Sequence, residues 1–573
     1  MNHYELLMTL GIIALAYLTY INKNLNNKIK ENCSFRPLSI NNYSGFIQVE
    51  ASLLDSGTSA WCRGESNVDK TCKFHYLCYN SLKDDFIFFH GTTSMASGLP
   101  QDRFSPALAD LSSVPNHNTQ YFNFVDLPLD AMESFDQIFL LRGNSFIFNR
   151  FNPANLMHVF HDDLLPLFHT LSENNYGDIN SSDSRLLFFD GHAKLDHFHL
   201  YKLFSSQIPL LKSDLNKSGN SLVCFERAYI GLSNTTTWYQ YGFQEPQGSV
   251  RNSEITARTI LLFTDYLKAK LGIEKKEQSQ SRLNGILIGR RTNRLILNEE
   301  HLVMALARDL HISVQLLHLE DTSIKEVIQR ISSTDVLIGV HGSALILSMF
   351  LKKGALLVEI FPFAVNPKHY TPYKTLVSIP GLNVKYLAWR NMERENTVFH
   401  KSALAEFGGI DHLSAEDQNR ILESSEVPLH LCCNDPEWLF RIYQDTVVDI
   451  QSFISAVRKS ISEDLAEERD TPQMYPAKVN KVVCRKLMTV DVVKLEVNWQ
   501  QPWNVKYLMS VIKEDIKYEV WIQQAFVDNT RAWILNTTGY TFEGEFLADS
   551  TYFVWVRCII NNRIGPFSDV TIC

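Results

Sequence analysis

The densest run of side chains able to do chemistry is N-L-M-H-V-F-H-D-D-L-L-P, residues 155–166. Wound as a helix, it puts Asn155, His158 and Asp162 on one face at i, i+3 and i+7, while His161 and Asp163 project elsewhere. Leu156, Val159, Phe160, Leu164 and Leu165 supply its apolar face. A histidine four residues before an aspartate can be oriented by that carboxylate, or can hold it as a base. The catalytic candidates are therefore His158, Asp162 and Asp163, with the base not assigned among them. The rival reading is a surface helix whose polar groups are merely satisfied. A metal held by His158, His161 and Asp162 would lack both an H-E-x-x-H pair and a facial-triad partner, so no metal is expected.

Three arginines, Arg290, Arg291 and Arg294, follow a short apolar run, and guanidinium groups there suit a diphosphate through bidentate charge-assisted bonds. Solvated surface charge is the plainer alternative. His341-Gly342-Ser343 stands where an apolar strand gives way to a helix, and small residues there let helix N–H groups approach a phosphate. Glu359 ends the next strand, placed to accept hydrogen bonds from ribose hydroxyls. No D-x-D triplet is present to chelate a metal–nucleotide, which leaves cationic side chains to do that work.

These residues need elements to carry them. Residues 283–289 (LNGILIG), 312–319 (ISVQLLHL), 335–340 (DVLIGV) and 354–361 (GALLVEIF) read as strands. Helices at 298–310, after Ser323-x-x-Glu326 and at 343–350 alternate with them. That alternation predicts a doubly wound parallel sheet, whose ligands bind beyond the carboxyl ends of the strands. Upstream, DFIFFHG and RLLFFDG read as strands and residues 156–171 as a helix, which makes a second α/β unit over 46–275. Helical periodicity over 435–461 predicts an element that closes the 276–470 unit and crosses back onto the first. After a charged, proline-bearing linker at 460–481, the pattern alternates strand by strand without helices. KLEVNWQQPW, KYEVWIQ and TYFVWVRCI, with Tyr552 at a tyrosine-corner position, suggest a fibronectin type III sandwich over 478–573.

Residues 6–22 form the only long uncharged apolar stretch, and about 1.5 Å per residue takes it to the width of a thin bilayer. No basic segment precedes it and no A-x-A-like site follows, so an uncleaved anchor is favoured over a cleaved signal peptide. Residues 1–5 are then a short cytoplasmic tail and 23–45 a stem. Lys23, Lys28 and Lys30 behind the stretch and Glu5 ahead of it point the other way on charge. The 10 cysteines lack zinc-module spacing and suit disulfides in an oxidising compartment. Sequons at Asn32, Asn42, Asn180, Asn216, Asn234 and Asn536 permit a lumenal address. A net charge of −9 with mixed signs gives no footing for nucleic acid.

Long runs of the chain resemble glycosyltransferase family 61: RFNPANLMHVFHDDLLPLF, HNTQYFNFV, TTWYQYGF, NRLILNE, FPFAVNPKHYTPYKTL, LAWRNM and LHLCCNDPEWLFRIYQDT. The family pattern N-x-x-H-x-x-x-D falls on Asn155, His158 and Asp162, S-R…R on Arg290 and Arg294, and H-G-A on His341-Gly342-Ser343. Gly289 stands where the family usually has Ser. The resemblance implies a GT-B fold of two Rossmann-like lobes, in a type II enzyme of the endoplasmic reticulum membrane with its catalytic part in the lumen. It also implies transfer of N-acetylglucosamine from UDP-GlcNAc, with inversion and no required cofactor, to the 4-hydroxyl of O-linked mannose on proteins such as α-dystroglycan. In that reading Arg290, Arg294, His341, Gly342, Ser343 and Glu359 hold the donor, while Asn155, Arg150 and His161 serve the acceptor or support the site. Two alternatives compete: direct O-GlcNAc transfer to Ser or Thr of EGF-like domains, and a non-catalytic lectin-like ectodomain.

Overall fold

The computed structural model describes residues 45–573 except 100–106, 115–120, 175–183, 218, 243–245, 251–252, 275–281, 463–474, 490–491, 506–515, 528–529 and 561–562. The expected tail, anchor and nearly all of the stem, with Asn32, Asn42 and Asn180, lie outside the described residues. No helix among the described residues is long and apolar enough to cross a membrane. The chain divides into two compact units, residues 1–463 and 464–573.

The first unit holds two large sheets. Strands β1 (Ser59–Arg63), β2 (Thr71–Asn80), β3 (Gln137–Phe148), β4 (Ser184–Phe188), β5 (Leu210–Leu211) and β6 (Ser221–Ile230) form the backbone of a 10-stranded sheet. Strands β5-β4-β3-β6 run parallel, but β2 and β1 extend the sheet antiparallel, where a wholly Rossmann-like lobe was expected. The disulfides Cys62–Cys72 and Cys78–Cys224 staple β1 to β2 and β2 to β6 across this antiparallel part.

The second sheet follows the expected alternation: β7 (Asn284–Gly289), α3 (Glu299–Leu310), β8 (Ser313–His318), α4 (Ile324–Ser332), β9 (Val336–Val340), β10 (Leu356–Phe361) and β11 (Lys385–Arg390). Its five strands are all parallel, in the order β8-β7-β9-β10-β11. The order reverses between β7 and β9, so their carboxyl ends diverge into a crevice, the usual ligand position in such sheets. Ser323 caps α4 by accepting from the Glu326 N–H, as its sequence signature predicted.

The helical run α1 (residues 156–174) leaves the carboxyl end of β3 and packs, with α2 (Ala257–Lys270), against the 3₁₀ run Ser343–Phe350 of the second sheet. Phe160 meets Phe263 and Phe350 edge-on at 6.3 and 5.9 Å, fully buried. Each such burial is worth about 1.5–3 kcal/mol, so the apolar face of α1 ties its polar face to the second sheet. The 435–461 segment is two helices, α6 (Pro436–Ile442) and α7 (Ile450–Ser462), broken by the short strand Asp445–Thr446. Helix α7 does not cross back. Its Phe453, Ile454 and Val457 pack into the second sheet's own core with Leu302, Val358 and Trp389, where their apolar surface is already covered.

The second unit is a sandwich of two antiparallel sheets, one of Asn480–Met488, Val493–Gln500 and Gly539–Phe546, the other centred on Ile516–Gln524 and Tyr552–Ile560. The Leu547 N–H donates to the Tyr552 hydroxyl at 2.7 Å, the hydrogen bond of a tyrosine corner. Cys484–Cys573 closes this unit, and Trp499 packs on Tyr518 inside it.

Candidate active site

Asn155 opens α1 as its N-cap, its side chain accepting from the Met157 N–H at 3.0 Å. It is therefore committed to the backbone and does not share a working face with His158 and Asp162. From Val159 to Leu164 the run is wound as a π-helix, with the Leu165 N–H reaching back to the Phe160 carbonyl. Single π turns inside α-helices mark functional positions frequently. Here the extra residue in the turn brings His161 against Asp162, where regular α-winding sends it elsewhere.

Asp162 is fully buried and holds both imidazoles. His158 Nδ1 lies 2.6 Å from its Oδ2, and His161 Nδ1 bonds its Oδ1. The Tyr241 hydroxyl sits 3.0 Å from each carboxylate oxygen. Burial works against the charge, but His161 and His158 outweigh it and hold the carboxyl down at about 2. The second nitrogens set the two histidines apart. His161 Nε2 accepts from the Trp238 and Tyr239 backbone N–H groups at 3.1 and 3.3 Å, so its proton resides on Nδ1 and its ring is locked. His158 Nε2 has no hydrogen-bond partner among the described residues, and its side chain keeps 14% exposure between the rings of Phe151 and Tyr241. This is an imidazole oriented by a carboxylate with its outer nitrogen open.

Asp163 faces the other way. Its Oδ1 accepts from the Phe151 N–H and its Oδ2 meets the Tyr201 hydroxyl at 2.5 Å, both inside the first sheet's core. Burial pushes its carboxyl well above the ordinary range, against the Tyr201 hydrogen bond. It is a fixed internal group and not a partner of His158. Arg150 is likewise internal: it forks onto Asp190 at 2.9 and 2.7 Å and donates to the His192 and Ala193 carbonyls. It binds the ends of β3 and β4 together.

At the mouth of the second sheet, Arg290 and Arg294 leave the carboxyl end of β7. Arg290 is folded onto Asn293, and Arg294, at φ 56°, donates to the His341 carbonyl at 3.0 Å and stacks over Tyr443. Neither has an ion pair among the described residues. Burial and the neighbouring Arg294 bring the Arg290 guanidinium down to about 10. Arg291 separates from them and pairs with Asp321 on the surface at 2.7 Å. Gly342 explains the closeness of the rest: a Cβ there would stand 2.7 Å from Arg294 Nη1 and 3.4 Å from Arg290 Nη1. Ser343 begins the 3₁₀ run, where N–H groups lack partners by position.

His341 Nδ1 lies 2.5 Å from Glu359 Oε1, and Glu359 Oε2 accepts from the Tyr386 hydroxyl at 2.6 Å. Glu359 is wholly buried with both oxygens taken, so it does not reach a ribose. It orients His341, whose ring lies between Phe361 and Tyr373. Burial and then Glu359 raise the Tyr373 hydroxyl well above the ordinary range, and its ring lies 5.7 Å from that of His341. The Thr371 N–H donates to the Tyr239 hydroxyl and the Trp238 indole to the Pro372 carbonyl. Among the described residues no cluster of three or more His, Cys, Asp or Glu side chains is arranged to hold a metal ion.

The Glycosyltransferase 61 family pattern matches residues 157–358. Protein O-linked-mannose beta-1,4-N-acetylglucosaminyltransferase 2 of Danio rerio is 45% identical over 525 residues, covering 91% of this chain and 90% of its own. The proteins of that name from Xenopus tropicalis and Homo sapiens are each 44% identical with the same coverage. This chain belongs to glycosyltransferase family 61. The solved FN5 domain of Drosophila Lar is similar over 17% of this chain and 94% of its own, at 15% identity and a TM-score of 0.13. The family match contains His158, Asp162, Arg290, Arg294 and His341–Ser343, with Asn155 and Glu359 just outside it. Sequence reasoning did not pick out Tyr241, Tyr373 or Tyr386 as site residues. The run TTWYQYGF, which holds Trp238, Tyr239 and Tyr241, carried the signal, as a polar-tipped aromatic cluster following a strand.

Proposed function

We propose that this chain is an inverting UDP-GlcNAc-dependent β-1,4-N-acetylglucosaminyltransferase acting on mannose O-linked to Ser or Thr of proteins such as α-dystroglycan. The observation that carries the proposal is the opposition of a carboxylate-held histidine in one mouth and two arginines without ion pairs in the other. A glycosyl transfer needs those two things, a base and a holder for the departing diphosphate. His158 Nε2 takes the proton of the mannose 4-hydroxyl while Asp162 steadies its Nδ1–H. The oxygen attacks C1 of the sugar, the C1–O bond to phosphate breaks, and its electron pair leaves on UDP. Arg290, Arg294 and the outer nitrogen of His341 receive that charge, so the chemical step needs no divalent metal. The two sheets are proposed to pair as the lobes of a GT-B enzyme with the reaction between their carboxyl ends.

Three disulfides and exposed sequons at Asn216 and Asn536 favour a lumenal site, with residues 6–22 anchoring the chain in the endoplasmic reticulum membrane. A glycosidase shift on microsomal protein is expected; protease sensitivity from the cytosolic side without a shift would refute that address. The activity test offers purified protein UDP-GlcNAc, EDTA and either a mannosyl-peptide or an unmodified EGF-like domain. Product with a β-1,4 linkage to mannose is expected. Transfer only to the EGF-like domain, or only after manganese is restored, contradicts the proposal.

A further inference from the structure

Cys432 and Cys433 are adjacent in sequence and free, while Cys62–Cys72, Cys78–Cys224 and Cys484–Cys573 are closed. Cys433 has a left-handed backbone at φ 65°, unusual for a residue with a side chain, and it turns both thiols to one side of the chain. Both S–H groups aim at a single acceptor, the Tyr241 carbonyl, at 3.4 Å from Cys432 and 3.8 Å from Cys433. The two thiols also lie within hydrogen-bond reach of each other. Tyr241 is the residue whose hydroxyl lies on both oxygens of Asp162, and its ring packs on His158. The loop carrying the cysteines is held by Tyr370, whose hydroxyl donates to the Pro428 and Leu431 carbonyls, and by Asp435, the N-cap of α6.

We propose that Cys432 and Cys433 are a redox modification site that closes to a vicinal disulfide by exchange with a low-molecular-weight disulfide. Attack by one thiolate on R–S–S–R forms a mixed disulfide and expels RS⁻, which takes up the proton that the attacking thiol had released and leaves as RSH. The second thiol then displaces another RSH, losing its proton and leaving the two sulfurs joined. Neighbouring Cα atoms across a trans peptide lie about 3.8 Å apart, below the roughly 4.4–6.8 Å usual for a disulfide, so the closed ring is strained and readily reduced again. Closing the ring removes both S–H donors from the Tyr241 carbonyl and changes the contact behind the residue whose hydroxyl lies on both oxygens of Asp162. The exposure of Cys433 gives the oxidant its entry.

The effect on turnover rests on the transferase reading above, but formation of the disulfide does not. Full-length protein is equilibrated with oxidised and reduced glutathione at ratios that preserve the other three disulfides, then mapped by mass and assayed. The peptide holding Cys432 and Cys433 is expected to become lighter by two hydrogens. Turnover is expected to fall about tenfold in step, a size typical of a small displacement near reacting groups. Cys433→Ser keeps a hydrogen-bond donor but cannot close, so its turnover is expected to ignore the oxidant, and Cys432→Ser provides the same readout if that variant folds poorly. The proposal is overturned if the pair stays reduced under oxidant, if it closes without change in turnover, or if the serine variants are equally sensitive.

Discussion

At the mouth of each sheet in the first unit stands a histidine–carboxylate pair, His158–Asp162 at one and His341–Glu359 at the other, and the two are built alike but furnished differently. His158–Asp162 sits against the Tyr241 hydroxyl and a second histidine, with no lysine or arginine ion-paired to it among the described residues. His341–Glu359 sits beside Arg294, which donates to the His341 carbonyl, with Arg290 next to it. A carboxylate behind an imidazole fixes the ring in both cases; what stands in front decides its use. An open nitrogen in uncharged surroundings suits taking a proton from a sugar hydroxyl. An open nitrogen beside two guanidinium groups suits binding an anion.

The comparison breaks most sharply at His158. His158→Ala is expected to lower kcat by about 10²–10⁴-fold, the usual range for a general base, with UDP affinity unchanged. A rate assay paired with UDP binding checks this. Next in size, Arg294→Ala should cost about 2–4 kcal/mol of transition-state binding through kcat/KM. Gly342→Ala should follow in the same direction, because its Cβ would displace the Arg294 guanidinium.

Residue types and spacing alone brought the arginines and His158 into the candidate site, and β7–β10 were legible because apolar runs alternate with helix signals. The face shared by Asn155, His158 and Asp162 was misread because a π turn leaves no mark in an apolar–polar pattern, and capping claims Asn155. Glu359 was read as a ribose contact because its position at a strand end is visible while Tyr386, its second partner, is 27 residues away. Helix α7 was expected to cross back onto the first lobe because periodicity shows that a face is buried, not against what. Asp163 looked catalytic beside Asp162, yet neighbours in a helix point in different directions.

A smaller effect tests that last distinction. The folded Asp163 carboxyl is raised, so its stabilisation is full below about pH 4 and is lost as pH rises toward its folded value. Asp163→Asn keeps an acceptor for the Phe151 N–H and offers an amide N–H to the Tyr201 oxygen in place of the carboxylate that accepts from that hydroxyl, so its Tm should fall less than that of the wild type between pH 5 and 8, with near-normal turnover. Asp162 has the opposite sign: its contribution is present above about pH 4 and is lost as pH falls toward about 2. Thermal melts across pH, with a rate measured at each, separate the two; a large rate loss in Asp163→Asn would return it to the list of bases.

The smallest expected effect concerns the sandwich, proposed to hold acceptor polypeptide, by strand pairing at a sheet edge, while the first unit binds both sugars. Protein ending near residue 476 should lose activity on a mannosyl-peptide, chiefly through KM, and keep it on a free mannoside. Equal loss on both, or on neither, removes the sandwich from acceptor binding.

The most direct test of the contrast between the two histidines is UDP titration calorimetry on His158→Ala and His341→Ala side by side. The account predicts a wild-type Kd for His158→Ala and a Kd weakened about tenfold or more for His341→Ala, the loss of one charge-assisted hydrogen bond to phosphate. Equal weakening in both variants, or weakening in His158→Ala alone, would contradict the assignment of base to one mouth and anion holder to the other.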